Sequence, residues 1–338
     1  MYSLGRLIMT LISVFAFVVS VHAPMSLAQQ PAERPLTTVR FMWGKQVSDG
    51  GYFLLPGLVK RHGVDIKLVV FRRYPEALIA LATGEVDIAH MGYPQAISIL
   101  DQGIKNVKVI AGQGGGGTDL VVSKEVKVTD WKDLEGKKIG IFPGGPGDLN
   151  FRSSLGRHNV DISKVQVVKL TAPGAPLFQA LKRREIDGYV AWEPVNATPV
   201  VEGYGYYAPV NLMDNETRGV NGLIAVNTGW ASKNPDVVVS FLKATLEGQR
   251  RLLGQKDEWA RTASEQLGIP LEMARESIKH LYLEPNLELR LKEAQAMARL
   301  MKEYGMVQKD WSAELPSVFD YSFLEKATGK QASELGRQ

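Results

Sequence analysis

The feature that most constrains this fold is a pattern of short apolar runs and helical stretches that occurs twice. The first copy predicts strands at residues 37–43, 65–72, 86–91 and 107–112, with helices at 51–61, 75–84 and 94–103 between them. Strands that alternate with helices are typical of βαβ units, whose strands form a mostly parallel sheet. The first third of the chain is therefore predicted to be an α/β unit.

The second copy repeats the pattern and some of its letters. Strands are predicted at 138–143, 165–170 and 186–191, and helices at 148–159 and 176–185. The segment RHGVDI at 61–66 returns as RHNVDI at 157–162. A second match, at an offset of one hundred residues, pairs Ala80, Leu81, Glu85, Asp87 and Pro94 with Ala180, Leu181, Glu185, Asp187 and Pro194. Two long copies favour two similar lobes over a solenoid.

The rest of the chain completes this two-lobe plan. Apolar residues at a spacing of three to four predict helices at 236–253, 256–267, 270–281 and 287–304, which pack around one of the lobes. Residues 37–117 and 222–338 are predicted to form the first lobe, and 118–221 the second. The glycine-rich stretch 112–117 is predicted to be a flexible crossover, because a strand rather than a helix follows it and a dinucleotide site needs a helix there.

The N-terminus indicates export. Arg6 precedes a short apolar run at 7–21, and Ser26-Leu27-Ala28 offers a small-residue cleavage site. These features predict a signal peptide at 1–28, because the run is too short to span a bilayer. Residues 29–36 are predicted to be a disordered leader. The chain has no cysteine to carry a lipid, so the periplasm is the expected location.

Composition excludes several classes of function. The net charge is only +4, with acidic and basic residues interleaved, which argues against a nucleic-acid partner. The absence of cysteine removes thiolate and disulfide chemistry. The five histidines form no metal-binding or hydrolase motif. We expect no metal, no cofactor and no catalytic residue, although a base–nucleophile pair such as His90 with Ser48 stays open.

Aromatic residues follow the predicted strands at their carboxyl ends, where ligands of open α/β sheets bind. The loops that begin at these ends contain Trp43, Tyr52, Tyr93, Phe142 and Trp192. Such rings either clamp a flat ligand or belong to the core.

The turn at 144–148 and Glu193 each have a ligand-binding interpretation and a structural one. The turn at 144–148 holds Gly144, Gly145, Gly147 and Asp148 between a strand and a helix. It either binds an anion through free N–H groups or is a plain turn with Asp148 as its cap. Glu193 either contacts a ligand or caps the next helix.

The chain resembles the periplasmic solute-binding proteins of ABC importers in the nitrate, sulfonate and taurine group, which includes binders of thiamine precursors. The resemblance rests on residues 77–87 with 92–94, on 133–140, and on 180–187 with 191–194. It spans about residues 39–253. Arg184 departs from the pattern, because glycine is usual at its position.

The resemblance implies two lobes that close around a ligand and C-terminal helices that return to the first lobe. It implies a second crossover near 211–221. The ligand positions that it implies are Gln46, Ser48 and Tyr52, then Gly92 and Tyr93, then the 144–148 turn, and finally Trp192 and Glu193.

The expected function is therefore capture of a small organic anion, either a sulfonate or an aromatic carboxylate, by a monomeric protein. The closed form would deliver the ligand to an inner-membrane permease and its ATPase. The alternatives are an enzyme or a pyrimidine-precursor binder on the same fold, and a sensor subunit that signals to a membrane partner.

Overall fold

The computed structural model describes residues 36–71 and 73–337. The predicted signal peptide, nearly all of the predicted leader, and Arg72 lie outside this range. No helix in the described part of the chain is both long and apolar enough to cross a membrane.

The first eight strands follow the predicted order, with boundaries that shift by a few residues, whereas the last three were not predicted. They are β1 (Thr37–Trp43), β2 (Val64–Val70), β3 (Ile88–Gly92), β4 (Val107–Gly116), β5 (Asp119–Ser123), β6 (Lys138–Ile141), β7 (Gln166–Lys169), β8 (Gly188–Ala191), β9 (Gly205–Tyr207), β10 (Val220–Asn227) and β11 (Leu281–Leu283).

Helices connect and cover these strands. They are α1 (Leu55–Leu58), α2 (Tyr74–Thr83), α3 (Tyr93–Asp101), α4 (Pro146–Arg157), α5 (Ala175–Lys182), α6 (Ala197–Val201), α7 (Thr228–Ala231), α8 (Pro235–Gly254), α9 (Lys256–Leu267), α10 (Leu271–Lys279), α11 (Leu291–Glu303) and α12 (Ser322–Thr328). Short 3-10 helices lie at Val47–Leu54, Val59–His62, Trp131–Leu134, Ile162–Lys164, Leu315–Ser317 and Ala332–Leu335.

The strands form two mixed sheets, which confirms the predicted fold class. The first has the order β11-β4-β10-β3-β1-β2 and the second β7-β6-β8-β5-β9. In the first sheet β1 is parallel to β2 and β3, and β10 is antiparallel to β3. In the second, β6 is parallel to β7 and β8, and β5 is antiparallel to β8. The two sheets share the same plan of three parallel strands followed by an antiparallel one.

Equivalent hydrogen bonds in the two sheets show that the sequence match at an offset of one hundred residues is also a structural repeat. The Asp87 carboxylate accepts the Arg40 N–H of β1 at 2.8 Å, and the Asp187 carboxylate accepts the Lys138 N–H of β6 at 2.9 Å. The Glu85 N–H donates to the Ala80 carbonyl, and the equivalent bond joins Glu185 to Ala180, both at 2.9 Å.

The position of Arg184 explains why glycine is usual there. Gly84 ends α2 with a φ of 75°, and Arg184, its repeat equivalent, has a φ of 63°. Both residues lie in the left-handed region, which glycine enters without a steric cost.

The prediction of a flexible glycine crossover is wrong for most of its length. Gly112 to Gly116 belong to β4, which pairs with β10 and β11. A Cβ on Gly112 would lie 1.9 Å from the Glu288 carbonyl oxygen, and one on Gly115 would lie 2.3 Å from the Gly219 carbonyl oxygen. The glycines are required because the protein's own backbone passes too close for a side chain.

The chain changes sheets twice, between β4 and β5 and again between β9 and β10. The second passage covers residues 208–219, close to the expected crossover at 211–221. Side chains of α8 such as Phe241 share one buried cluster with Phe41 of β1, so this C-terminal helix packs on the first sheet. The second sheet has separate clusters on its two faces, with Leu120 and Ile139 in one and Val121 and Tyr189 in the other. The lobe boundaries stay a prediction.

Candidate functional site

The carboxyl ends of β1, β2 and β3 meet at one edge of the first sheet because these strands are parallel. The 3-10 helix Val47–Leu54 follows β1 and brings Asp49 and Tyr52 to this edge. Phe71 and Tyr74 follow β2. His90 lies in β3, two residues before the strand ends at Gly92. The edge therefore gathers aromatic rings around an imidazole and a carboxylate.

His90 is the centre of this group and is fully buried. Its Nδ1 lies 3.1 Å from Oδ1 of Asp49, but neither ring nitrogen has a well-directed hydrogen bond. The ring centroid of His90 is 5.4 Å from that of Tyr52, 5.5 Å from Tyr74 and 6.4 Å from Phe71. The imidazole is therefore enclosed by rings on several sides.

Asp49 links the turn after β1 to β3. Its Oδ2 accepts the Gln46 N–H at 2.7 Å, while Oδ1 faces His90. Burial and the nearby Asp49 charge both raise the pKa of the Tyr52 phenol and of the Tyr74 phenol above their ordinary value. Both tyrosines therefore stay protonated and keep a hydrogen to donate.

Aromatic side chains also mark the carboxyl edge of the second sheet. Phe142 follows β6 and Trp192 follows β8, and their ring centroids are 4.9 Å apart. Both rings are half-buried. They pack with each other and leave part of their surface to solvent, as expected of side chains that line a cleft.

The turn at 144–148 is closed by its own aspartate. Oδ2 of Asp148 accepts the Gly144 N–H at 3.0 Å, and Oδ1 accepts from Nε of Arg152 at 2.6 Å. Asp148 therefore closes the turn from the first turn of α4, but the prediction that it is the N-cap is wrong, because the N-cap residue is Gly145. Gly147 lies against Thr118 and Val190, where a Cβ would come within 2.8 Å of Thr118.

Glu193 points into the protein. Its side chain is 1% exposed, accepts the Tyr207 hydroxyl at 2.8 Å and accepts the Ala197 N–H at 3.2 Å. Burial raises the pKa of Glu193 to about 7, although the bond from Tyr207 acts in the opposite direction. This placement matches the helix-capping interpretation, because Ala197 begins α6.

A histidine from the C-terminal helices joins this cluster. The rings of His280 and Tyr207 stack with centroids 3.7 Å apart, and Nδ1 of His280 lies 3.3 Å from Asp119. Burial lowers the pKa of His280, but Asp119 together with Glu193 and Glu276 outweighs burial and leaves the pKa raised. The cluster ties the second sheet to the end of α10.

The remaining predicted site residues take several roles. Trp43 packs against Phe53 with ring centroids 5.4 Å apart, and its indole N–H is buried without a partner. The Tyr93 hydroxyl accepts the Arg290 N–H at 3.0 Å, so it is already engaged. Ser48 has its carbonyl bonded to the amide of Gln113 and its hydroxyl directed to Gln46.

The open pairing of His90 with Ser48 does not form, because no hydroxyl bonds to His90 among the described residues. Sequence reasoning missed the partner that His90 does have, which is Asp49. It also missed Phe71 and Tyr74. The available signal was a histidine in an otherwise apolar strand, IAHMG. In the described part of the chain, no group of three or more acidic or histidine side chains is placed to hold a metal ion.

An open cavity lies elsewhere in the described part of the chain. It has a volume of about 360 Å³ and is lined by Lys108, Phe319, Tyr321 and Arg337 among others. Lys108 is near the amino end of β4, whereas the candidate site is at the opposite edge of the sheet. The side chains at the candidate site pack against one another instead.

A family model covers more than half of this chain. The NMT1-like family matches residues 55–268, and the chain belongs to that family. This range includes His90, Tyr74 and the second sheet, so the family likeness extends over most of the candidate site.

Two curated relatives show partial similarity. A putative binding protein of Brucella abortus is 32% identical over 142 residues, which is 42% of this chain and 43% of that protein. The taurine-binding periplasmic protein of Escherichia coli is 28% identical over 186 residues, which is 53% of this chain and 55% of that protein. The alignments thus span about half the length of these relatives.

Two solved structures share the fold over nearly their whole length. The periplasmic aliphatic sulphonate binding protein SsuA from Escherichia coli superposes with a TM-score of 0.71 at 17% identity, covering 84% of this chain and 92% of that one. The desulfurization enzyme DSZB superposes with a TM-score of 0.65 at 13% identity, covering 86% and 99%. The same architecture therefore serves both a binding protein and an enzyme.

Proposed function

We propose that this protein is the exported binding component of an ABC importer and that it captures a small organic anion between two lobes. The ligand class is a sulfonate or an aromatic carboxylate. The observation that carries the proposal is the repeated architecture, in which two sheets of matching strand order end their parallel strands in aromatic side chains. Two chain passages join these sheets, as a cleft that closes by hinge motion requires.

The relatives support this reading. One relative binds taurine in the periplasm, and a structural neighbour binds aliphatic sulfonates. The partners of such a protein are a permease and its ATPase in the inner membrane, and its place is the periplasm after removal of residues 1–28. Binding requires contacts that differ between open and closed lobes, because a ligand shifts a conformational equilibrium only by its differential affinity.

A thermal-shift screen followed by calorimetry tests the proposal. The panel contains taurine, ethanesulfonate, nitrate, benzoate and benzenesulfonate. A ligand that binds only the native state raises the melting temperature, by an amount that grows with its concentration over Kd. At least one sulfonate or aromatic carboxylate is expected to do so. If every member of the panel leaves the melting temperature unchanged at millimolar concentration, the proposal is wrong.

Catalysis is the second candidate, because one specific observation favours it. His90 and Asp49 form a buried imidazole–carboxylate pair of the kind that general bases use, and the neighbour DSZB is an enzyme on this fold. Prolonged incubation of each bound ligand with the protein, followed by mass spectrometry, separates the two. Recovery of unchanged ligand supports capture, and conversion of the ligand supports an enzyme.

A further inference from the structure

The strongest unexplained feature of this molecule is that His90 is fully buried and yet neither ring nitrogen has a directed hydrogen bond. A buried polar atom without a partner is destabilising, and native proteins have few of them. Nδ1 at least faces the carboxylate of Asp49. Nε2 makes no hydrogen bond either, although the Gln113 amide oxygen also lies beside Gly222, so Nε2 is left for a partner from outside the chain.

The ring is surrounded by aromatic side chains from two segments. Tyr52 approaches from the 3-10 helix after β1, and Phe71 and Tyr74 approach from the segment after β2. The Tyr52 hydroxyl is also buried without a partner. Two polar groups that can donate to a ligand, the hydroxyl and the imidazole, therefore lie among three apolar ring faces.

Strand β10 places a glycine beside Nε2. Gly222 of β10 is the register partner of Gly92 in β3. A Cβ on Gly222 would lie 2.6 Å from Nε2 of His90, and a Cβ on Gly92 would lie 3.0 Å from Oε1 of Gln95. That amide oxygen also lacks a partner. The paired glycines add no side chain of their own beside either unsatisfied atom, and the space is filled by Gln113 at Gly222 and by the Tyr74 ring at Gly92.

The charges around the ring favour an acidic partner at Nε2. Asp49 holds the Nδ1 side, and fixing one nitrogen of a histidine directs the other outward. The titratable groups that face the ring are Asp49 and Tyr52 from the 3-10 helix and Tyr74 from α2. Strand β10 presents Gly222 there, which does not titrate. A protonated imidazole between Asp49 and a ligand carboxylate separates two like charges.

We propose that His90 is the group of the first lobe that binds the acidic end of the ligand through Nε2, taking up one proton from solvent as it does so, and that the ligand is a flat aromatic carboxylate. This inference rests on the proposed function and narrows its ligand class. The three rings favour an aromatic body, because offset and edge-on ring contacts add to apolar burial. The proton neutralises the added carboxylate beside Asp49.

The ligand reaches His90 by displacing side chains rather than by opening the sheet. Phe71 lies outside the strands, and Tyr74 is at the first turn of α2, so rotation of these two side chains would leave the pairing of β1 with β3 intact. Gln95, from the first turn of α3, is placed to accept a hydrogen bond from a polar substituent on the ligand ring.

Calorimetry at pH 7.5 tests this directly. The mature protein is titrated with benzoate in two buffers of different ionisation enthalpy, and the difference in binding heat gives the protons taken up. Uptake approaching one proton per benzoate is expected for the wild type. His90→Gln should weaken benzoate binding at least tenfold and abolish the uptake. His62→Gln, a change in a histidine paired with Glu247 on the surface, should alter neither.

Asp49→Asn tests the same contact if the His90 variant does not fold, because asparagine has nearly the same shape as aspartate. This variant should take up fewer protons than the wild type when it binds benzoate. Benzoate binding without proton uptake in the wild type overturns the inference but leaves the proposed function standing. Binding of ethanesulfonate in preference to benzoate does the same. If none of the anions binds, the proposed function fails, and this inference fails with it.

Discussion

Asp49 and Asp148 occupy matching places in the two halves of the molecule, and they differ in one contact. Each lies in the first turn of the helix that follows the first parallel strand of its sheet. Each carboxylate accepts a backbone N–H of the loop before it, from Gln46 at 2.7 Å and from Gly144 at 3.0 Å. The other oxygen of Asp49 faces buried His90 on β3, whereas that of Asp148 binds Arg152 within its own helix.

This difference separates a turn whose carboxylate is satisfied locally from one whose carboxylate contacts a neighbouring strand. The capping bond is common to both and forms the turn. The second bond in the second lobe is local and satisfies the carboxylate, so that turn is complete without a ligand. In the first lobe the second oxygen reaches across to a neighbouring strand and positions an imidazole whose far nitrogen is unsatisfied. The polar recognition of the ligand is therefore expected in the first lobe, with Phe142 and Trp192 closing over it from the second.

The repeat aspartates provide the largest effect with which to test the equivalence of the halves. Asp87 is 2% exposed and binds the backbone and guanidinium of Arg40, whereas Asp187 is 18% exposed and binds the Lys138 N–H and the exposed guanidinium of Arg184. Asp87→Ala should lower the free energy of unfolding by about 3–4 kcal/mol, because it leaves the partly buried N–H of Arg40 and its guanidinium without their acceptor.

Asp187→Ala should cost only about half as much, because solvent reaches the vacated N–H. Denaturant unfolding of both variants gives the two values. Equal losses would contradict the view that burial, rather than the shared bond alone, sets the cost.

The next effect concerns Glu193, which has no charged equivalent in the first lobe because Tyr93 stands after β3. The pKa of Glu193 is about 7, above its ordinary value of 4.5. The native state therefore holds a proton that the unfolded chain releases, and stability should fall as pH rises from 4.5 to 7. The full cost is up to about 3 kcal/mol.

His280 acts in the same direction, since its raised pKa gives stability that is lost as pH rises above 6.5. Glu193→Gln keeps the acceptor for Tyr207 and removes the first contribution, so it should stabilise the protein at pH 8 and flatten the pH profile between 5 and 8. Glu202→Gln, on an exposed glutamate paired with Lys182, is the control and should leave the profile unchanged. A Glu193→Gln profile as steep as that of the wild type would show that this carboxyl is ionised throughout.

A smaller effect tests the ligand contact assigned to the second lobe. Trp192→Ala should weaken ligand binding by about 2 kcal/mol, or about thirtyfold in Kd, because an aromatic anchor is lost. Trp311→Ala removes another half-buried indole, which donates to Asp101, and should leave affinity unchanged. Calorimetry with the ligand found in the screen measures both. An unaltered Kd in Trp192→Ala would mean that Trp192 of the second lobe does not contact the ligand.

The smallest effect concerns the helix ends of the two halves. Gly84→Ala should cost about 1 kcal/mol, because a Cβ is disfavoured at a φ of 75°. Arg184→Gly relieves the same strain but loses exposed ion pairs with Glu125 and Asp187, so the net gain should be at most about 0.5 kcal/mol. Thermal unfolding of both variants, compared with the wild type, detects changes of this size. A loss of stability in Arg184→Gly would mean that the ion pairs outweigh the strain.

Much of the fold could be predicted from the sequence, because local patterns determine it. The limits of β1 and of α9 agree with the prediction, and the repeat at Asp87 and Asp187 is present in the hydrogen bonds. The glycine stretch 112–117 was wrongly predicted to be flexible. Glycine is required there because the backbone of residues 219 and 280–288, which are distant in sequence, passes close by.

The site was harder to predict. Trp43 and Tyr93 are at strand ends, as predicted, yet they are buried, and the Tyr93 hydroxyl is taken by Arg290. The contact of Asp49 with His90 joins two segments that share no local pattern, so only the folded sheet brings them together. The orientation of side chains could not be predicted either, since nothing in the sequence shows that the Glu193 side chain points into the protein.

The most direct test of the central claim is a distance between the lobes with and without ligand. The chain has no cysteine, so cysteines introduced at the exposed positions of Lys45 and Lys169 carry the only two spin labels. With saturating ligand, confirmed by calorimetry on the labelled protein, the distance distribution from pulsed electron resonance should shift to shorter values and narrow. A distribution unchanged by bound ligand would contradict capture by closure of the two lobes.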